Sequence, residues 1–166
     1  LGQSVNEWFS LFQDEGGVDA LHEKYYGHVA IFDYVDTRRY LKRIDERYQP
    51  FRSMFKEAAK IYQLPESLLA AQAYQESHWE PKAKSPTGVR GIMMLTRTTA
   101  KSLGVKNRLD PKQSIMGGAK YLAKMKTRFS DNVVEPDLTW LALAAYNVGR
   151  AHMHDAQTLA RRLNKS

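Results

Sequence analysis

The chain has 166 residues, 43% of them apolar, with three Trp and nine Tyr, which suffices for one ordinary domain with a real core, or one domain and a fragment of another. It contains no apolar run of about 18 residues, which excludes a spanning helix in this stretch, and no cysteine, which excludes disulfides and thiolate metal sites. A net charge of +7, spread along the chain, predicts a basic surface suited to a polyanion: nucleic acid, lipid headgroups or the acidic peptides of a cell wall.

No signal-peptide pattern stands at Leu1, so any targeting segment is expected to be removed or upstream. Residues 5–14 read as a helix: Ser4 and Glu7 make a capping box, and Val5, Phe9 and Phe12 share a face. Gly16-Gly17 breaks it, and residues 18–26 form a second short helix stopped by Gly27. Residues 29–34 are rich in strand formers but short, as in a linker. A helix over residues 37–48 aligns Leu41, Ile44 and Tyr48, and Gln49-Pro50 interrupts it, which places a domain boundary near residue 48. Phe51, Met54, Phe55, Ala58 and Tyr62 then form a 3.6-period stripe.

Pro65 suits a first helical position. The helix after it is small and apolar, and Pro81 is expected to end it. Leu69, Gln72, Ala73 and Glu76 fall at i, i+3, i+4 and i+7. Glu76 therefore continues a partly apolar row, where a carboxyl is partly desolvated and holds its proton near neutral pH. His78 and Trp79 follow as an expected surface pair. Thr96 caps a helix over 97–103 closed by Gly104. Asp110-Pro111 with Gln113 starts another, which carries Ile115, Ala119, Leu122, Met125 or Lys126, and Phe129 down one face. Its Gly117-Gly118 pair costs about 1 kcal/mol per glycine against alanine, which points to a closely packed neighbour. Pro136-Asp137 opens a helix over 138–146, apolar nearly all round and so expected to be buried, with Asp137 as its cap. A last helix over 150–164 carries Met153, Ala160 and Leu163. The fold class is mainly α, with short connections and no repeats.

Four motifs carry the chemistry: Glu76-Ser77, Ser85-Pro86-Thr87-Gly88, Gly91-Ile92-Met93-Met94, and Ala145-Tyr146-Asn147 with Gly149. In this order and spacing, from about Tyr48 to Arg161, they resemble the lytic transglycosylases of the goose-lysozyme-like (soluble-type) superfamily. The Met93 to Thr96 variant is similar to the membrane-bound branch F of that family. Ile92 and Met94 depart from the usual leucine and glutamine, so a hydrogen bond that the glutamine makes elsewhere is not expected here.

The resemblance implies a lysozyme-like helical domain over 48–166, incomplete at its C-terminus. The helix pair over 5–26 resembles the last helices of a family-3 solute-binding domain, which makes 1–47 the remnant and linker of an upstream sensor domain; a plain helical lead-in to the enzyme domain is the alternative. It implies the peptidoglycan glycan strand as substrate, a bacterial periplasmic location peripheral to the outer membrane, no nucleic-acid partner and no cofactor. It further implies that Glu76 acts first as acid and then as base, cutting the MurNAc–GlcNAc bond and leaving a 1,6-anhydro end. Most glycosidases use two carboxylates. Glu80, Asp110 and Asp137 offer no convincing second one, since two of them read as caps and Glu80 precedes Pro81.

Ser77 either bonds back to helix carbonyls or supports Glu76. By the resemblance, Ser85 orients sugar or glutamate, Met93 and Met94 line the cleft (the alternative for one of them being an ordinary core methionine), Tyr146 bonds the Glu76 carboxyl and Asn147 contacts an acetamido group. His152 and His154 are two apart and lie on different helix faces, which does not make a metal site. Two further readings fit these residues: a muramidase that admits water, and a silent wall-binding module.

Overall fold

A computed structural model describes residues 11, 34–129, 131 and 133–163, in two compact units, 1–42 and 43–166. The expected helices over 5–14 and 18–26 and most of the segment 29–34 lie outside the described residues. In the first unit the described structure is helix α1, Tyr34–Arg43, whose last residue falls in the second unit. An exposed Arg39–Asp36 pair at 3.4 Å spans one of its turns.

In the second unit, Ile44–Tyr48 is a π-helical turn and Gln49–Phe51 a 3-10 turn, leading into α2, Arg52–Tyr62. The single helix expected over 37–48 thus gives way at Ile44 to wider and then tighter turns. Pro50 is accommodated at the start of the 3-10 turn, where its missing N–H costs little. The α2 stripe holds: Phe55 and Ala58 are fully buried, and Phe51, Met54 and Tyr62 pack against the core.

Helix α3 is Glu66–Ser77. Pro65 stands just outside it in extended conformation as N-cap. Pro81 does not end it either. His78 and Trp79 both take left-handed backbone, at φ 51° and 59°, at about 1–2 kcal/mol each for L-residues. The His78 N–H returns to Tyr74 O at 2.7 Å. Trp79, far from lying on the surface, is 2% exposed, donates Nε1–H to Ala70 O at 2.8 Å and rests against Tyr48 and Tyr74. Burying that ring offsets the strain.

Helix α4, Arg97–Leu103, is capped as its sequence predicts, with Thr99 N–H on Thr96 Oγ1 at 3.0 Å and Gly104 left-handed. Helix α5, Pro111–Phe129, is the central element and packs against α2, α4 and α6. Asp110 caps it through Gln113 N–H at 2.8 Å. The Gln113 side chain does not close the box; its Oε1 accepts from Lys106 and Asn107 N–H, both at 3.0 Å, and fixes the preceding loop. Met125, not Lys126, is the core residue.

Helix α6, Asp137–Val148, departs from the expected burial: Ala142 and Ala145 are buried, but Trp140 and Val148 are exposed. Its two packing partners, α5 and α7, leave an apolar face open. Asp137 makes no cap hydrogen bond; Glu135 does that work, accepting from both Thr139 N–H and Thr139 Oγ1. Helix α7 is Arg150–Arg162, ending two residues short of the expected 164. None of these helices, among the described residues, is long and apolar enough to cross a membrane.

Candidate active site

Glu76 lies in the last turn of α3, and the segment that follows folds back across that helix end. Backbone hydrogen bonds within the segment 83–95 shape it first. Gly91 N–H bonds Ala83 O at 2.9 Å, Arg90 and Leu95 pair through both backbone groups, and Met94 N–H bonds Gly91 O at 3.0 Å. A Cβ on Gly91, where φ is 83°, would stand 1.7 Å from Arg108 O, so this position admits only glycine. Gly118 lets α5 approach as its sequence predicts; a Cβ there would meet Met93 Cε at 2.6 Å.

Four side chains pin the segment to the helices around it. Ser77 donates to Ile92 O at 2.8 Å, with the helix carbonyl Ala73 O a second acceptor at 3.3 Å. Tyr146, on α6, donates to Met93 O at 2.9 Å. Ser114, fully buried on α5, accepts from Met93 N–H at 3.3 Å. Arg108 reaches Gly88 O and Leu95 O, both at 2.8 Å. Ser114 and Arg108 were not singled out in the sequence. Ser114 had a signal, being one of few polar residues on the buried face of α5, at i−3 and i−4 from Gly117 and Gly118. Arg108 had none, because its acceptors are 13 and 20 residues away.

The expected site residues fall as follows. Glu76 is half-buried, and its carboxyl is pushed up from an ordinary 4.5 to about 7 by desolvation. The Tyr146 hydroxyl points to Met93 O rather than to the Glu76 carboxyl. Its pKa is raised well above the ordinary tyrosine value, by burial first and then by the nearby Glu76 charge. The Met93 side chain is fully buried against Gly118, so Met93 presents its backbone to the site. Met94 is half-buried with left-handed backbone, φ 44°. The Ser85 hydroxyl shares a 2.7 Å bond with Thr87, in an otherwise open turn. Asn147 is exposed at the end of α6. His78, exposed two residues after Glu76, is held below its ordinary pKa by burial and by Arg43 and Arg47. No cluster of three metal-ligating side chains occurs among the described residues.

A half-buried carboxyl that is protonated near neutral pH, above a loop fixed by main-chain bonds, can deliver a proton to a bound leaving group and take one back. The helical scaffold around it is lysozyme-like. The structure of the 70 kDa soluble lytic transglycosylase of Escherichia coli superposes with a TM-score of 0.53 at 30% identity, over 63% of this chain and 18% of that one. A complex of the 70-kDa soluble lytic transglycosylase with bulgecin A gives 0.56 at 28% identity, over 68% of this chain and 19% of that one. The model of the transglycosylase SLT domain matches residues 53–166, and the chain belongs to that family. It is 50% identical over 161 residues to the membrane-bound lytic murein transglycosylase F of Hahella chejuensis, covering 97% of this chain and 32% of that protein. With the protein of the same name from Photobacterium profundum it shares 53% over 153 residues, 92% of this chain and 29% of the relative. The chain thus spans about a third of the length of these relatives.

Proposed function

We propose that residues 48–166 are the catalytic domain of a lytic transglycosylase that cuts the MurNAc–GlcNAc β-1,4 bond of peptidoglycan with Glu76 as its single catalytic carboxylate. One observation carries this reading: Glu76 is held at a pKa of about 7 by burial alone, with no second carboxylate contributing to the shift among the described residues. A two-carboxylate mechanism needs a partner on the far side of the sugar. A lone glutamate suits a route in which the substrate supplies the second group.

In that route the Glu76 proton passes to the glycosidic oxygen as its bond to C1 of MurNAc breaks. The 2-acetamido oxygen bonds to C1 and holds the positive centre. Glu76, now a carboxylate, takes the proton of the C6 hydroxyl, and O6 displaces the acetamido oxygen to close the 1,6-anhydro ring. Glu76 ends protonated, and no water is consumed. In this scheme Tyr146 and Ser77 act by holding the loop 91–95 beside the carboxyl, Met94 and Ser85 border the bound sugar, and Asn147 stands within reach of an acetamido group.

The relatives' names, together with the basic charge, support an envelope location in the periplasm at a membrane surface. Residues 1–47 fit the tail of an upstream solute-binding-type domain, which would sense a ligand for the same polypeptide. Digestion of purified sacculi with this chain and with Glu76→Gln, read by mass spectrometry, tests the reading. Anhydro-muropeptides from the wild type alone are expected. Products one water heavier would instead assign a muramidase, and full turnover by Glu76→Gln would move the chemistry off this residue.

A further inference from the structure

Beside the Glu76 site, the second unit carries a cleft of about 680 Å³ between α4, α5 and α7. Its floor is apolar and aromatic: Tyr121, Met125 and Phe129. Lys124, Arg128 and Arg161 stand on its wall, and no carboxylate lines it among the described residues. These three cations are exposed, and none of them is in a salt bridge with a described residue. Lys126, on the same helix, is by contrast held by Glu135. Three like charges around one recess repel one another unless an anion enters.

The cleft is joined to the site by aromatic contact. Tyr121 meets Tyr146 edge-on at 5.1 Å, and the Tyr146 hydroxyl holds Met93 O. Tyr121, on the cleft floor, thus lies one ring from Tyr146, whose hydroxyl is close enough to Glu76 to feel its charge. The glycan of peptidoglycan is itself neutral where MurNAc is amidated by its stem. Its carboxylates sit on the stem peptide, on the γ-linked glutamate, the diamino acid and the terminal alanine. Guanidinium groups hold such carboxylates through paired N–H donors, and the methylene and methyl groups of the stem suit the floor.

Resting on the proposed transglycosylase reading, we infer that this cleft binds the carboxylate-bearing stem peptide of the strand being cut. Lys124, Arg128 and Arg161 are its specificity determinants. The preference for stem-bearing over bare glycan then comes from α5 and α7, not from the loop around Glu76.

The test compares kcat/KM on glycan strands with intact tripeptide stems and on the same strands stripped by an amidase. The chain and its combined Lys124→Ala, Arg128→Gln, Arg161→Gln variant are measured on both, with the thermal midpoint showing that the variant is folded. The wild type is expected to favour stem-bearing strands, and the variant to lower that preference about tenfold, since each exposed charge contact is worth a few-fold at most. Calorimetry of the free stem tripeptide with Glu76→Gln protein gives a second reading, independent of turnover. Tripeptide binding that the three substitutions abolish and salt weakens supports the inference. An unchanged preference in the variant, or tripeptide binding indifferent to the substitutions, overturns it. Absence of anhydro products from both substrates, with cation-dependent tripeptide binding intact, would sink the transglycosylase reading and leave the cleft assignment standing.

Discussion

At the scale of single residues, the protein turns on how an ordinary glutamate becomes an acid at neutral pH. Burial raises the Glu76 pKa from 4.5 to about 7, so its protonated form, the one that can donate, is depleted as pH rises through that value. Turnover limited by the first proton transfer is expected to fall above about pH 7, and a pH–rate profile of sacculus digestion checks it. The same shift has a sign for stability. The folded chain binds this proton more tightly than the unfolded one, so stability from Glu76 falls as pH rises from 4.5 to about 7. Glu76→Gln should therefore raise the thermal midpoint at pH 8 and change it little at pH 4, with a gain on the order of 1 kcal/mol after allowing for solvent screening. Gln72, one turn earlier, has a buried Oε1 with no hydrogen-bond partner among the described residues. Replacing it by leucine should stabilise the fold by about 1 kcal/mol in denaturant melts, since an orphaned acceptor is removed.

At the scale of elements, the site depends on loop 83–95 being held still between α3, α5 and α6. Gly91→Ala would force a Cβ against Arg108 O in left-handed backbone. The expected loss is about 2–5 kcal/mol, the sum of overpacking and strain. Gly104→Ala is the control: it is also left-handed, at φ 80°, but opens on free space, so only the strain of about 1–2 kcal/mol remains. Chemical denaturation of the two variants separates these costs. Trp79→Ala, which empties the space between Tyr48 and Tyr74 and removes the bond to Ala70 O, should cost about 3–5 kcal/mol. Because Trp79 closes the end of the helix that carries Glu76, it should also lower turnover by the folded fraction.

At the scale of the whole molecule, the net charge of +7 suits the proposed substrate, whose stems are anionic. Affinity of the Glu76→Gln chain for sacculi should fall steeply between about 50 mM and 500 mM salt, as exposed charge pairs are screened, and a pelleting assay measures it. The two compact units divide between Lys42 and Arg43, while the sequence pattern marks a change near residue 48. The π and 3-10 turns at 44–51 belong with the second unit because Ile44, Tyr48 and Phe51 pack on its core.

The helices of the second unit were legible in the sequence because each is written locally: the α2 stripe, the Thr96 and Asp110 caps, the glycine pair on α5. Glu76 and the four motifs of the candidate site stood out through their resemblance to a known family, which is carried by particular residue types at short spacings. What the tertiary structure decided are contacts that spacing along the chain cannot express. The resemblance implied a Tyr146 hydroxyl on the Glu76 carboxyl, but packing of α6 on α5 carries it to Met93 O, 53 residues away. The sequence stopped α3 at Pro81, but burial of the Trp79 ring stopped it at Ser77. The exposed face of α6 likewise depends on which helices lie beside it. Local propensity and chemistry are properties of a segment, whereas burial belongs to the partners that the fold brings to it.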